Sequence, residues 1–278
     1  MGHKATISFE YFPPKSDAGR EKLLREVTPA LAAVKPEFFS VTYGAGGATR
    51  DSTRGTVAAL NAQGVSVTPH LSFGLDDEET IAAILSSYRD SGIDRLVALR
   101  GDIPSGSGAG ARLVYASELV AFVRKHSGDH FHIEVAAYPE VHPQAESYDS
   151  DIRHLKGKFD AGADSAITQY FYNVEAYFYF LDRCAAIGID KPIYAGIMPI
   201  TNYSNLARFS HNCGAEIPRW ISKRLQGFGD DRDSIQEFGI DVVTQLCSTL
   251  LESGAPGIHF YTMNQTQPTL QICRNLGL

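Results

Sequence analysis

The stretch Thr6-Ile7-Ser8-Phe9-Glu10-Tyr11-Phe12-Pro13-Pro14 reads as a buried strand with a carboxylate near its end. Side chains alternate along a strand, so Ile7, Phe9 and Tyr11 share one face while Ser8, Glu10 and Phe12 share the other. Pro13 and Pro14 end it, because neither has an N–H to give to a ladder. A carboxylate is seldom placed in a protein interior without a partner or a task.

Outward from this segment, short apolar strands recur, each after a glycine. Gly64 precedes 65–71, Gly92 precedes 95–99 and Gly128 precedes 131–137; Gly162 precedes 166–170, Gly188 precedes Ile193–Ile197 and Gly254 precedes 258–261. Each glycine follows a helical stretch, which it ends by accepting the left-handed conformation just past the last turn. Ile81, Ile84, Leu85 and Tyr88 share a helical face behind the capping-type residues Asp76 and Asp77. Ile152, Leu155 and Phe159 form a second such stripe, and Tyr177, Phe178, Leu181 and Cys184 a third; all three read as core contacts. With Thr6–Tyr11 and 38–42 the strands number eight. Their alternation with helices implies right-handed βαβ units and a parallel sheet. Eight units in about 250 residues predict an α/β fold, a (β/α)8 TIM barrel. Roughly sixty residues separate strands seven and eight, more than one crossover helix needs, and 205–211, 218–225 and 234–251 read as extra helices there. No linker or low-complexity segment interrupts the chain, so 1–278 is expected to be a single domain.

The bulk numbers narrow the function. The chain has 278 residues, a hydrophobic fraction of 44% and a net charge of -7. No basic stripe is present, which argues against a nucleic-acid partner, and an acidic surface disfavours adsorption to anionic membranes. No signal peptide or membrane span is evident. Met1-Gly2-His3-Lys4-Ala5-Thr6 fits the myristoylation pattern only in form, since Thr6 already starts the first strand. Cys184, Cys213, Cys247 and Cys273 make no C-x-x-C pair and read as reduced thiols of a cytoplasmic protein.

Polar residues gather toward the C-terminal ends of the strands. They are Ser8 and Glu10; Ser40 and Thr42; Ser66, Thr68 and His70; Arg100 and Asp102; Glu134, Tyr138, Glu140 and His142; and Gln169. A barrel would bring such ends to one mouth, where active sites of this fold lie. Taken singly they are ambiguous: Arg100 and Asp102 suit a structural ion pair as well as a ligand site, and His70 suits a core histidine as well as a contact. His126, His130 and His132 precede a strand at its N-terminal end with no carboxylate or cysteine at ligand spacing, so no metal site is expected. Gly106-Ser107-Gly108-Ala109-Gly110-Ala111 matches G-x-G-x-x-A but starts well past the strand, a poor dinucleotide fingerprint. Gly44-Ala45-Gly46-Gly47 lacks the Lys-Ser/Thr of a P-loop.

Five segments in order carry a resemblance: Phe9-Glu10-Tyr11-Phe12-Pro13-Pro14, Ser40-Val41-Thr42-Tyr43-Gly44, Ala98-Leu99-Arg100-Gly101-Asp102, Ala137-Tyr138-Pro139-Glu140-Val141-His142-Pro143 and Ile167-Thr168-Gln169. His259-Phe260-Tyr261-Thr262 adds a sixth near the C-terminus. Across essentially the whole chain the sequence resembles the bacterial 5,10-methylenetetrahydrofolate reductases. That resemblance implies FAD at the C-terminal strand ends of the barrel. It also implies a hydride relay in which NADH or NADPH reduces the flavin and leaves, and the folate then takes its place. The product, 5-methyltetrahydrofolate, would supply methyl groups for methionine synthesis.

Glu10 matches the family's general acid, and burial beside Phe9 and Phe12 is expected to raise its pKa so that it stays protonated near neutrality. Asp102 matches an aspartate beside flavin and pterin. Thr42, Tyr43, Ala45, His70, Arg100, Gly101, Asp102, Ala116, Tyr138, His142, Asp151, His154 and Lys158 fall at FAD-contact positions; Arg100 and Lys158 suit a pyrophosphate. Gln169, Asn205 and Phe209 fall at folate- or nicotinamide-contact positions. Gln265 stands where relatives often carry arginine, which puts a charged contact to the folate tail in doubt. A homotetramer is implied by family precedent, and control by S-adenosylmethionine is not expected. Two other readings stay open from the residues themselves: a flavin barrel acting on another amine or iminium substrate, and a pterin-binding barrel without catalysis.

Overall fold

The computed structural model describes residues 5–43, 47–73, 76–100 and 115–278. Among them, eight strands close into a parallel barrel in chain order: β1 Thr6–Tyr11, β2 Phe38–Val41, β3 Val67–Leu71, β4 Arg95–Ala98, β5 His132–Ala137, β6 Ser165–Thr168, β7 Ile193–Ile197 and β8 Gly257–Tyr261. β8 returns to pair with β1, Ser8 opposite His259 and Glu10 opposite Tyr261. The expected strands are all present. β3 starts at Val67, and β6 ends at Thr168, so Gln169 sits just past the strand.

The helices are α1 Asp17–Lys22, a π-type turn Leu23–Val27 and α2 Thr28–Ala32 after β1; α3 Gly47–Ala62; α4 Glu78–Asp90; α5 Ala116–Ser127; α6 Tyr148–Asp160; and α7 Val174–Ala186. Then come α8 Tyr203–Cys213, α9 Arg219–Phe228 and α10 Arg232–Glu252, the three extra helices between β7 and β8, and finally α11 Gln267–Asn275. Asp77 caps α4 by accepting the Thr80 N–H at 2.8 Å. The six glycines that precede strands take φ between 57° and 113°, a region that costs glycine nothing.

Alternation decides what each strand face meets. Ile7, Phe9, Tyr11, Leu96, Ile133, Val135, Ala195, Ile258 and Phe260 face the helix ring and join the main core, with Ile81, Leu85, Ile152, Leu155 and Tyr177 opposite them. The other face lines the tube. Phe38, Val97 and Ile167 form a small apolar cluster there, with Leu99, Tyr194 and Tyr261 packed on it.

Polar residues occupy the rest of the tube in two groups. One, at the C-terminal ends, contains Glu10. The other sits at the N-terminal ends, where Arg95, His132 and Ser165 are the first residues of β4, β5 and β6. Arg95 donates to Glu134 Oε1 at 2.6 Å and to Glu37, and its guanidinium lies 4.7 Å from the Phe38 ring centre. Ser165 donates to Glu134 Oε2 at 2.6 Å, and His132 Nε2 is 2.7 Å from Ser165 Oγ. This corrects the expectation that Glu134 belongs to the mouth: it faces inward, but its partners hold it in the closed end. His126 and His130 also go to separate partners, Ser86 and the Ile93 carbonyl.

Burial alone would raise the Glu134 carboxyl, but hydrogen bonds from His132 and Ser165 and the Arg95 charge pull it below its ordinary value. A lowered carboxyl stabilises the fold above the unfolded value, and that contribution is lost as pH falls through the folded one. Arg95→Met leaves this buried carboxylate without its cation, and we expect a loss of about 3 kcal/mol at pH 7. The deficit should shrink toward pH 4, where the unfolded carboxyl is itself protonated. Urea unfolding across that range measures it, and a pH-independent deficit would refute the assignment.

Candidate active site

Glu10 is the last inward residue of β1, and it is 8% exposed. Strand register brings two imidazoles to it from the neighbouring walls. His70 Nε2 lies 3.2 Å from Glu10 Oε2, off the line a hydrogen bond needs. His259 Nε2 lies 3.4 Å from the same oxygen, and His259 Nδ1 is 2.7 Å from Ser8 Oγ. Ser40 Oγ donates from 3.5 Å. Thr262 Oγ1 donates to the Glu10 carbonyl at 2.7 Å and so ties β1 to the end of β8.

The electrostatics run opposite to the sequence expectation. Burial does push the Glu10 carboxyl upward. The charge of His70 and the contacts from His259 and His70 outweigh it and hold the group at about 2. Glu10 is therefore a carboxylate clasped by imidazoles, not an isolated protonated acid. The hydrophobic neighbours Phe9 and Phe12 suggest burial, but the histidines that reverse its effect, His70 and His259, arrive from β3 and β8.

Above this cluster opens a cavity of about 530 Å³, a size suited to small-molecule and cofactor binding. Val97, Leu99 and Ile167 give it an apolar floor, while Glu10, Thr42, Tyr43, His70, Arg100, Tyr138, His142 and Gln169 supply polar edges. Gly196 keeps one wall open to close approach, because a Cβ there would fall 1.9 Å from the Thr168 carbonyl oxygen and 2.8 Å from the Tyr261 ring. The Tyr261 hydroxyl then donates to that same carbonyl at 2.7 Å.

Residues 2–277 match the family model for methylenetetrahydrofolate reductase. The chain belongs to that family. It is 38% identical over 273 residues to the 5,10-methylenetetrahydrofolate reductase of Escherichia coli (strain K12), covering 98% of this chain and 90% of the relative. It is 37% identical over 289 residues to a probable methylenetetrahydrofolate reductase (NADH) of Oryza sativa subsp. japonica, covering 99% of this chain but 48% of that one. In fold it is similar to an uncharacterized protein from Clostridium thermocellum that binds two copies of 5-methyl-5,6,7,8-tetrahydrofolic acid, with a TM-score of 0.70, 16% identity and coverage of 99% and 96%.

The positions expected of a methylenetetrahydrofolate reductase divide into three sets. Glu10, Thr42, Tyr43, His70, Arg100, Tyr138, His142, Gln169 and Phe209 line the cavity together. Ala116 is the first residue of α5, and Asp151, His154 and Lys158 lie on α6; these four do not line the cavity. Asp151 accepts the His142 N–H at 2.8 Å, Lys158 Nζ donates to the Ala136 carbonyl at 2.8 Å, and His154 stacks on Tyr115 with ring centres 6.2 Å apart. Burial lowers the Lys158 amine to about 8, Asp151 raising it and Arg100 lowering it further. The third set also lies off the cavity. Asn205 is exposed in the first turn of α8, where Arg208 donates to it, and Gln265 is exposed beyond β8; Met263 lines the wall instead. Ala45, Gly101 and Asp102 lie outside the described residues.

Two residues given no role by sequence reasoning stand out. His259 was visible only as part of a motif. Glu140, behind the wall, accepts the Glu216 N–H at 2.8 Å while its Oε1 is buried without a hydrogen-bond partner, and burial raises it to about 7. All four cysteines are unpaired thiols. Among the described residues, no helix is long and apolar enough to cross a membrane.

The clasp predicts an infrared signature. At pH 7 the Glu10 carboxyl, identified by difference against Glu10→Gln, should absorb as carboxylate. Replacing both imidazoles, His70→Leu with His259→Leu, leaves burial dominant, and the band of the protonated acid should grow in. A carboxylate band unchanged in the double variant would contradict the proposed balance.

Proposed function

We propose that this chain is a flavin-dependent 5,10-methylenetetrahydrofolate reductase, reducing the folate to 5-methyltetrahydrofolate with NADH or NADPH as donor. The observation that carries the reading is a carboxyl group at a strand end, clasped by two imidazoles, at the floor of the cavity in a chain of this family.

The residues present fit FAD. Val97, Leu99 and Ile167 offer an apolar bed of the kind a tricyclic ring needs. Arg100 and Lys158 offer cations for a pyrophosphate, and an amine depressed by burial is one whose charged form an incoming anion favours. Tyr115 and His154 make a stacked aromatic pair farther out. Bound FAD would accept a hydride from the nicotinamide and pass it to the folate. One cavity supports the two substrates using it in turn.

The protein's own work is proton management. Opening the methylene bridge puts negative charge on a departing nitrogen, which must be protonated. Glu10 is held as a carboxylate by the imidazoles 3.2 and 3.4 Å away, so it must take up a proton before it can act as the acid. A ligand covering the mouth expels water, and a charged carboxyl loses more than a neutral one when water is removed. Filling the site thus favours the protonated carboxyl and makes Glu10 an acid when one is needed. Gln169, able to donate and accept at once, is placed to read a pterin edge.

The decisive test uses the visible spectrum. The purified protein should be yellow, bleach with NADH and recover with the folate. Glu10→Gln should leave bleaching intact and slow recovery by about 10²–10⁴. Equal damage to both half-reactions would reject the role. The Lys158 charge predicts a second dependence: flavin affinity should weaken as pH rises through about 8, and Lys158→Met should bind flavin more weakly without that step, as read by fluorescence titration.

A further inference from the structure

The turn after β8 is built around an unusual use of one side chain. The Asn264 Oδ1 accepts the Phe12 N–H at 2.9 Å, and the Asn264 Nδ2 donates to the Phe12 carbonyl at 2.8 Å. A carboxamide that pairs with both backbone groups of one residue is doing what a peptide unit of a neighbouring strand would do. Backbone pairing of β1 with β8 stops at Glu10 and Tyr261, so the amide carries the ladder past Glu10 to the residue that precedes Pro13. Thr262 joins the two: its hydroxyl donates to the Glu10 carbonyl at 2.7 Å and accepts the Asn264 N–H at 3.2 Å.

Aiming the amide this way requires an unfavourable backbone. Met263 and Asn264 have φ of 54° and 57°, two successive residues in the left-handed region. Asparagine tolerates it; methionine has no local reason to adopt it. Strain of this kind persists where the surrounding structure imposes it, and it clusters at functional sites. The bonds to Phe12 lie at the surface, where they add little stability. Phe12 and Met263 both line the cavity, as Glu10 does.

We propose that Asn264 is a positioning residue for the proton-handling carboxyl. Its carboxamide stands in for a peptide, locks the end of β1 against β8, and so sets where Glu10 and Phe12 present themselves to the substrate. This rests on the functional reading above. It also assigns the working contact of this turn to Asn264, one residue before the Gln265 position that the family resemblance singles out. Aspartate cannot replace it, because a carboxylate keeps the bond to the Phe12 N–H but opposes the Phe12 carbonyl.

The test compares Asn264→Ala, Asn264→Asp and Thr262→Val with the wild-type holoenzyme. The expected result is a folate half-reaction slowed roughly ten- to hundredfold in its limiting rate, with a displaced pH profile. The NADH half-reaction should stay within about twofold, and Phe12 amide exchange should accelerate. Thr262→Ser, which keeps the hydroxyl, should behave as wild type and guards against a variant that fails to fold. Wild-type folate rates and pH profile despite faster Phe12 exchange would overturn the proposal, as would parallel loss of both half-reactions. A wild-type protein inert toward the folate would instead sink the functional reading. The Glu10 infrared band then decides the clamp, and a band identical in wild type and Asn264→Ala overturns it.

Discussion

A carboxylate clasped by two imidazoles inside a closed barrel is the constraint on which the site depends. Glu10 could not stay charged at 8% exposure without them. Each imidazole is held by the architecture. His70 arrives on β3 and His259 on β8, strands flanking the β1–β2 pair, and Ser8 engages the far nitrogen of His259. A Ser8 hydroxyl that donates to Nδ1 leaves the Nε2 proton directed at Glu10, since the bond at one ring nitrogen selects the state of the other. The chemistry of the carboxyl is thus set by register rather than by any one segment.

The tube separates two kinds of charge. At the closed end Arg95, Glu37, Glu134, His132 and Ser165 satisfy one another and serve cohesion. At the open end the Glu10 cluster leaves His70 Nε2 without a hydrogen bond. Phe38, Val97, Ile167 and Tyr194 lie within the tube as its apolar packing. Fully paired polar groups suit a stability role, and under-satisfied ones suit a site that exchanges protons or receives a ligand.

Much of the fold was legible because its signals are local. Alternation within 6–11 separates the helix-facing Ile7, Phe9 and Tyr11 from the inward Ser8 and Glu10, and a glycine before a strand marks a helix end without reference to the rest of the chain. The meeting of Glu10, Thr42, His70, Tyr138 and Gln169 followed once closure was inferred. What was not legible depends on who stands opposite whom. Glu134 looks like a mouth residue until Arg95 and Ser165 are seen beside it, and Glu10 looks like a raised carboxyl until His70 and His259 are placed. Asn205, Gln265, Ala116, Asp151, His154 and Lys158 were carried over by position alone, and none of them lines the cavity.

The position of Glu10 has a consequence for proton supply. The residue is 8% exposed and lines the cavity that a bound molecule would fill. The hydrogens shared among Glu10, His70 and His259 are then a closed inventory for as long as a guest remains. Each visit begins with a fixed complement, and replenishment waits for departure.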